Sequence, residues 1–369
     1  MGEYFVKHSY GIMRHFCHNS RGICFCNMTD ANTTEYEILV DNGQRDFDVI
    51  IDDSDTIHLV CQDDKGNILY IKNNGKDWEK YTLLQSKTPS SHLKSFNLLR
   101  VGKWINIIYS IDYKGKKMLT HHILENSDVP TAIDYIDGEF CTAKDESGNI
   151  YVLYTNYSGS LGWRKFVWSK KEWGDFIPVS TSGRLIQPYI FVDDRIHITG
   201  VIEENAVYLN EGGETTVGTN AFDPIFIKHS GILNIMWKNK KDGRVWCCSS
   251  TDDGGSFQAP TEFMAGRFAP SKLFSLAYTT FEACQSRHCY GYIRDNAATL
   301  YLLSDFLKIS RIPPKPMPTL TYPVQSNDET ELEKLKIQLR MVSDSLAKIT
   351  SRVEKLESSL ETTDEFLLP

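Results

Sequence analysis

No apolar run in the 369 residues is long enough to span a bilayer. The first eleven residues, MGEYFVKHSYG, lack a basic segment followed by an apolar core, so no secretory signal is read there. Val6 stands where a myristoylation pattern needs Ser or Thr. No basic tract stands out and the net charge is -8. Phosphate binding needs clustered Lys and Arg, so nucleic acid is not an expected partner. There is no nucleotide loop, zinc motif or nucleophile elbow, and no cofactor or metal is expected. The stretch from His15 to Cys26 is rich in His and Cys but lacks two separated ligand pairs, so these are read as buried strand residues. Long helical periodicity is absent before residue 328, which leaves strands to build the fold.

What is present fits that reading. Hydrophobic residues at 41% supply a core, and 18 Tyr, 18 Phe and 7 Trp suit strands. The nine cysteines are odd in number. Neighbours such as Cys247 and Cys248 would point to opposite faces of one strand and pair poorly. Reduced thiols and a cytoplasmic location are expected, although export without a leader would leave the same sequence.

The organising feature is a repeat. Residues 105–115, INIIYSIDYKG, align with 233–243, LNIMWKNKKDG. Each is an alternating apolar strand ending in a polar turn. Residues 57–66, 150–159, 196–205, 13–22 and 287–296 repeat the pattern. Its turns fall at Gly22, Gly66, Gly115, Gly159, Asn205, Gly243 and Asn296. Gly and Asn tolerate the positive φ of a tight hairpin. The spacing is near the roughly 40–50 residues of a four-stranded propeller blade. In residues 47–84, FDVII, IHLVCQD, NILYIKN and WEKYTLL read as the four strands. The fold class expected is all-β: a seven-bladed β-propeller, with six blades as the alternative count, followed by a C-terminal α-helical coiled coil. Residues 1–12 have a second expected role, completing a blade begun at the C-terminal end.

One turn is more specific. Ser250, Asp252, Gly254 and Phe257 in STDDGGSF resemble the Asp-box of the sialidase-like BNR β-propeller superfamily. Gly75 and Trp78 in NNGKDW form a degraded copy. The resemblance covers about residues 1–310. It implies that these boxes are structural, with the Asp capping backbone N–H groups and the ring sealing the blade. It also implies what a sialidase would need: three arginines, a Tyr–Glu pair and an Asp acid. Arg311-Ile312-Pro313 lies at the end of the propeller, not near its start, and few arginines occupy inner-strand positions. A catalytic role is therefore not the leading expectation.

Ligands are expected where the inner strands begin and where the hairpins between second and third strands return. Asp48, Asn97, Gln187 and Asp223 would ring the channel mouth, and Asp63, Tyr113, Tyr157, Arg294 and Asp295 would stand on the hairpins. Polar groups beside tyrosines suit a glycan. Any single turn acid has the simpler role of turn former. A second polar ring, at Arg14, His58, Asn106, Tyr151, His197, Asn234 and His288, is expected to bond between blades.

The tail reads differently. Residues 311–327 are a proline-rich linker. Over residues 328–362, Leu332, Leu335, Leu339, Val342, Leu346, Ile349, Val353, Leu356 and Leu360 step by three and four, a heptad seam. Leu with β-branched partners along that seam leans toward a homotrimer or homotetramer. Residues 363–369 are expected to be disordered. The function expected is non-enzymatic, lectin-like recognition of carbohydrate or another surface ligand, with avidity from the coiled coil. A sialidase-like glycoside hydrolase and an intracellular protein–protein scaffold are the alternatives.

Overall fold

The structure, a computed structural model, describes residues 2–308 apart from 30–31, 34, 76, 88–91, 125–128, 264–270 and 280–283. Met1–Pro313 is one compact unit and Pro314–Pro369 another. The linker, the heptad seam from Leu332 to Leu360 and the tail lie outside the described residues.

The described part is all-β, with one short 3-10 helix at Ser304–Leu307. No helix in it is long and apolar enough to cross a membrane. Seven antiparallel meanders follow one another in the described residues, with inner strands at Glu3–Lys7, Gly43–Ile51, Asn97–Val101, Thr131–Lys144, Ile186–Val192, Ala221–His229 and Lys272–Tyr278. Thr131–Lys144 has two roles. Its first half is the outer edge of the third meander, and its second half is the inner strand of the fourth. Inner strands of neighbouring meanders touch around an axis, and Glu3–Lys7 closes the ring by pairing in parallel with Lys272–Tyr278. This is a β-propeller.

The turns behave as the sequence predicts at Gly22, Gly66, Gly115, Gly159, Gly243 and Asn296, all at positive φ. In the fifth meander the left-handed residues are instead Glu203 and Glu204, and Asn205 opens the next strand. Tight register there matters more than residue preference, since a two-residue hairpin needs φ > 0 at both central positions.

The closure departs from seven equal blades. The first and last meanders also meet at their outer edges, where Ala297 pairs with Asn32, whose short strand pairs back on Gly22–Thr29 of the first meander. Joined at both edges, they form one closed sheet. Their shared core includes Phe5, Met13, Phe274 and Tyr290.

Elsewhere each apolar cluster lies between neighbouring meanders. Val60 and Tyr70 pack on Leu98 and Ile107, and Tyr208 packs on Phe226 and Trp237. Second strands are therefore buried on both faces, as in Ile57–Asp63, while the outer strand Trp78–Leu84 stays half-exposed. This explains why second strands read as near-continuous apolar runs.

Gly218 shows how tight the seam between the fifth and sixth meanders is. A Cβ there would lie 2.1 Å from the buried Trp237 ring. Gly218→Ala is expected to destabilise the fold by about 1–3 kcal/mol. Gly174→Ala, whose Cβ would meet nothing nearer than Lys165 O at 3.4 Å, should shift stability by under about 1 kcal/mol. Urea denaturation of the two variants checks this.

Candidate functional site

Five inner strands converge on an axial cavity of about 640 Å³. Its wall uses their later residues, among them Ile50, Leu99, Ala143 and Val192. The cavity therefore lies toward the end where inner strands finish. The hairpins between second and third strands lie at the opposite end.

Asp48 and Arg287 meet beside this cavity. The Arg287 guanidinium donates to both Asp48 oxygens, at 2.9 and 3.2 Å. Asp48 also accepts the backbone N–H of Val49 and of Leu98 in the next meander. Burial opposes the charge of Arg287, but Asp48 and Tyr4 outweigh it and the group is held above its ordinary pKa. Arg287 and His288 border the cavity and keep some exposure, yet protein surrounds them on most sides. Burial, with Arg287 beside it, pushes His288 down to about 3. It is a neutral ring, with Nδ1 3.2 Å from the Tyr189 hydroxyl.

Two further cations line the wall. Arg100 pairs in bidentate fashion with Asp53. Lys144 donates to Arg100 O at 2.9 Å, and no carboxylate among the described residues pairs with it. Burial and then Arg100 lower its pKa. Thr142 donates to Asn97 at 3.0 Å on the same wall.

The residues singled out in the sequence are spread over both ends. Asp48 anchors Arg287 and Asn97 lines the cavity. Gln187 and Asp223 hold one another instead: the Asp223 N–H donates to Gln187 Oε1 at 3.0 Å. Both have left-handed backbones, at φ 51° and 48°, beside register shifts that open their strands. The shifts leave Ile186 and Phe222 exposed, whereas Phe47, Phe96 and Phe140 are buried at the corresponding places. Asp63 is a buried turn former, accepting from Lys65 and Asn67. Tyr113 and Tyr157 are exposed on their hairpins, and Arg294 and Asp295 form an exposed pair at 3.6 Å. These last five lie away from the cavity. Arg100, Lys144, Tyr189 and Arg287 were missed in the sequence. Arg287 precedes a residue of the second polar ring, the one local signal available.

That ring bonds mostly within its own meander, not between meanders as the sequence suggests. His58 contacts the Tyr70 hydroxyl at 2.6 Å and Asp52 at 3.2 Å, and His197 contacts Tyr208 at 2.8 Å and Asp193 at 3.2 Å. Tyr151 donates to Asp145. Asn106 and Asn234 donate to backbone carbonyls of their own meanders. Arg14, donating to Asn73, and His288, beside Tyr189, cross between meanders, and His197 also comes within 3.9 Å of Asp253 in the next one. The reason is a short one: an Asp in the turn after the inner strand, or a Tyr on the third strand, is nearer than the next sheet. Asp193, His197 and Asp253 come within metal-ligand distance of one another. The Lys228 ammonium already stands between the two carboxylates, 2.5 Å from Asp193 and 3.0 Å from Asp253.

In the Ser250–Phe257 turn, Asp252 accepts from Ser250 at 2.7 Å and from the N–H and hydroxyl of Ser256. These bonds hold its carboxyl down to about 2. Gly254, at φ 84°, donates to Ser250, and Phe257 packs edge-on against Tyr208. Gly75 donates to Asn73, and Trp78 packs against Phe25 of the first meander.

No family model matches the chain, and no curated protein matches it. Solved structures do. The BP39L lectin of Burkholderia pseudomallei is 9% identical, with 81% of this chain and 94% of that one covered and a TM-score of 0.53. The fungal lectin of Aleuria aurantia, described as a six-bladed β-propeller with a novel fucose recognition mode, is 12% identical, covers 72% and 97%, and scores 0.43. The WD40 domain of SCAP from fission yeast is 10% identical, covers 79% and 74%, and scores 0.45. Of the three, the first is close enough to argue from, and at 9% identity it speaks to the fold alone.

Asp223 supplies a test at the far end of the axis. Burial, with repulsion from Glu139, raises its pKa to about 6. The native state thus prefers the protonated form. The stability this group contributes is present below about pH 4, its unfolded value, and is lost as pH rises through about 6. Asp223→Asn should therefore gain about 1–2 kcal/mol over the parent between pH 4 and pH 7. Equilibrium denaturation at the two pH values reads the difference.

Proposed function

We propose that this chain is a lectin-like, non-enzymatic carbohydrate-binding propeller whose ligand enters the axial cavity. The cavity carries the reading. Apolar walls at Leu98, Ile190 and Leu276 stand beside convergent polar groups at Lys144, Thr142 and Ser286. A sugar offers an apolar face and a ring of hydroxyls, which that mixture matches. The BP39L structure is itself a lectin, and the likeness extends around most of this chain. The seven repeats act as seven blades, the first and last sharing one closed sheet. Avidity comes from a homotrimer or homotetramer formed by the heptad seam from Leu332 to Leu360. The described thiols, with no disulfide among them, support a cytoplasmic location.

Glycoside hydrolysis draws less support. Asp145, Glu146 and Asp193 reach the cavity wall. Asp145 and Asp193 are each committed to their own turn and to a lysine, Lys165 and Lys228 respectively, which leaves Glu146 without the second free carboxylate that an acid and base pair needs.

A glycan array with the full chain, a chain ending at Pro314 and a Lys144→Ala variant tests the reading. Binding should fall sharply on truncation, as avidity is lost. It should also fall about tenfold in Lys144→Ala at single-site level, the loss of one charge-assisted hydrogen bond. Absence of binding by all three moves the reading to a protein scaffold.

A further inference from the structure

The hairpin between the second and third strands of the third meander is unusual among its neighbours. Its strands, Trp104–Tyr113 and Lys116–Ile123, are ten and eight residues long. Lys114 and Gly115 form the turn, both left-handed at φ 53° and 76°. Such a type I′ turn matches the strand twist and holds the tip rigid. Residues 112–117 are all exposed.

The tip, Tyr113-Lys114-Gly115-Lys116-Lys117, is a local positive charge on a chain of net charge -8. None of Lys114, Lys116 or Lys117 has an ion-pair partner among the described residues. The nearby acids are engaged elsewhere. Asp112 pairs with His92 at 2.8 Å and Asp137 with Arg184 at 3.4 Å. Asp134 accepts from the Tyr154 hydroxyl at 2.7 Å.

Tyrosines surround the tip. Lys116 Nζ stands 4.0 Å from the Tyr157 ring centre and 5.8 Å from that of Tyr135, and Lys114 Nζ is 5.2 Å from that of Tyr113. Tyr157 belongs to the next hairpin, yet its N–H donates to Tyr135 O at 3.2 Å, tying that hairpin to the strand that pairs with Lys116–Ile123. It is 60% exposed. Cation–π attraction at exposed sites is weak, enough to position an ammonium but not to neutralise it.

We infer that this hairpin and the tyrosines beside it form a second binding site, separate from the axial cavity, for a saccharide bearing carboxylate or sulfate groups. Tyr157 and Tyr113, each with a lysine ammonium over one ring face, would offer the other face to the apolar side of a sugar, and the ammoniums, with no carboxylate partner among the described residues, would take its anionic groups. The choice of a saccharide over other polyanions rests on the carbohydrate reading above. The site itself rests on the unpaired lysines and the exposed rings.

The test uses the full-length chain and four probes of matched length: a heparin-derived hexasaccharide, a hexagalacturonate, neutral maltohexaose and a thymidine oligonucleotide. Kd is measured by calorimetry at low and moderate salt. At least one anionic saccharide should bind more tightly than about 1 mM, with affinity falling as salt rises. Heparin alone binding assigns sulfate, and hexagalacturonate alone assigns carboxylate. The triple variant Lys114→Glu, Lys116→Glu, Lys117→Glu should lose at least about tenfold. Tyr157→Ala should lose about threefold while keeping the salt dependence. Binding by neither anionic saccharide, indifference to charge reversal, or equal binding of maltohexaose or the oligonucleotide would overturn the assignment. The two carbohydrate sites fail separately: Lys144→Ala reports on the cavity, the triple variant on the hairpin.

Discussion

One carboxylate ties together parts of the chain that local structure keeps apart. Asp48 sits on the inner strand of the second meander, accepts the Leu98 N–H of the third, and holds Arg287 of the last. Its side chain is 3% exposed. A carboxylate so placed would be costly unless charge and hydrogen bonds offset its desolvation, and here they do. Because Arg287 lies almost at the end of the propeller and Asp48 near its start, the pair closes the ring across the axis. It works alongside the parallel pairing of Glu3–Lys7 with Lys272–Tyr278.

The same pair divides the axis into two chemically different ends. Toward the ends of the inner strands lies the cavity, with Arg100 and Lys144 on its wall. Toward their beginnings, burial and then repulsion from Glu139 push the Asp223 carboxyl upward. The cavity side offers cations and hydroxyls. The opposite face carries hairpins, of which the one turning at Lys114 and Gly115 is basic and aromatic. His288 at the cavity border and His121, packed against Phe166 and Trp173 between the third and fourth meanders, are neutral, both lowered to about 3 mainly by burial.

Much of the fold was legible because its signals are local. A left-handed turn residue every forty-odd positions and doubly buried second strands leave marks within a few residues, as Gly66, Gly115 and Ile57–Asp63 show. One edge of the joint between the first and last meanders was legible, since the expected role of residues 1–12 in a C-terminal blade fits the pairing of Glu3–Lys7 with Lys272–Tyr278; the other edge left no mark, because pairing of Ala297 with Asn32 depends on backbone edges rather than side chains. The site was legible in part. Asp48 and Asn97 stand out as polar positions opening inner strands. Arg100, Lys144 and Arg287 do not, because which end of the axis is hollow depends on how five inner strands from distant parts of the chain pack together. Bulges shift register by a residue without a strong sequence mark. Gln187 and Asp223 were placed at the correct strand starts, but their left-handed backbones turn them toward each other.

The central claim is that Asp48 and Arg287 act as one unit in closing the ring. A double-mutant cycle with Asp48→Asn, Arg287→Met and the pair, read by urea denaturation of the full chain, tests it directly. The account predicts that each single change costs about 2–4 kcal/mol and that the double change costs little more than either, a coupling of at least about 1 kcal/mol. Additive losses from the two single changes would contradict it, and would leave ring closure to the strand pairing alone.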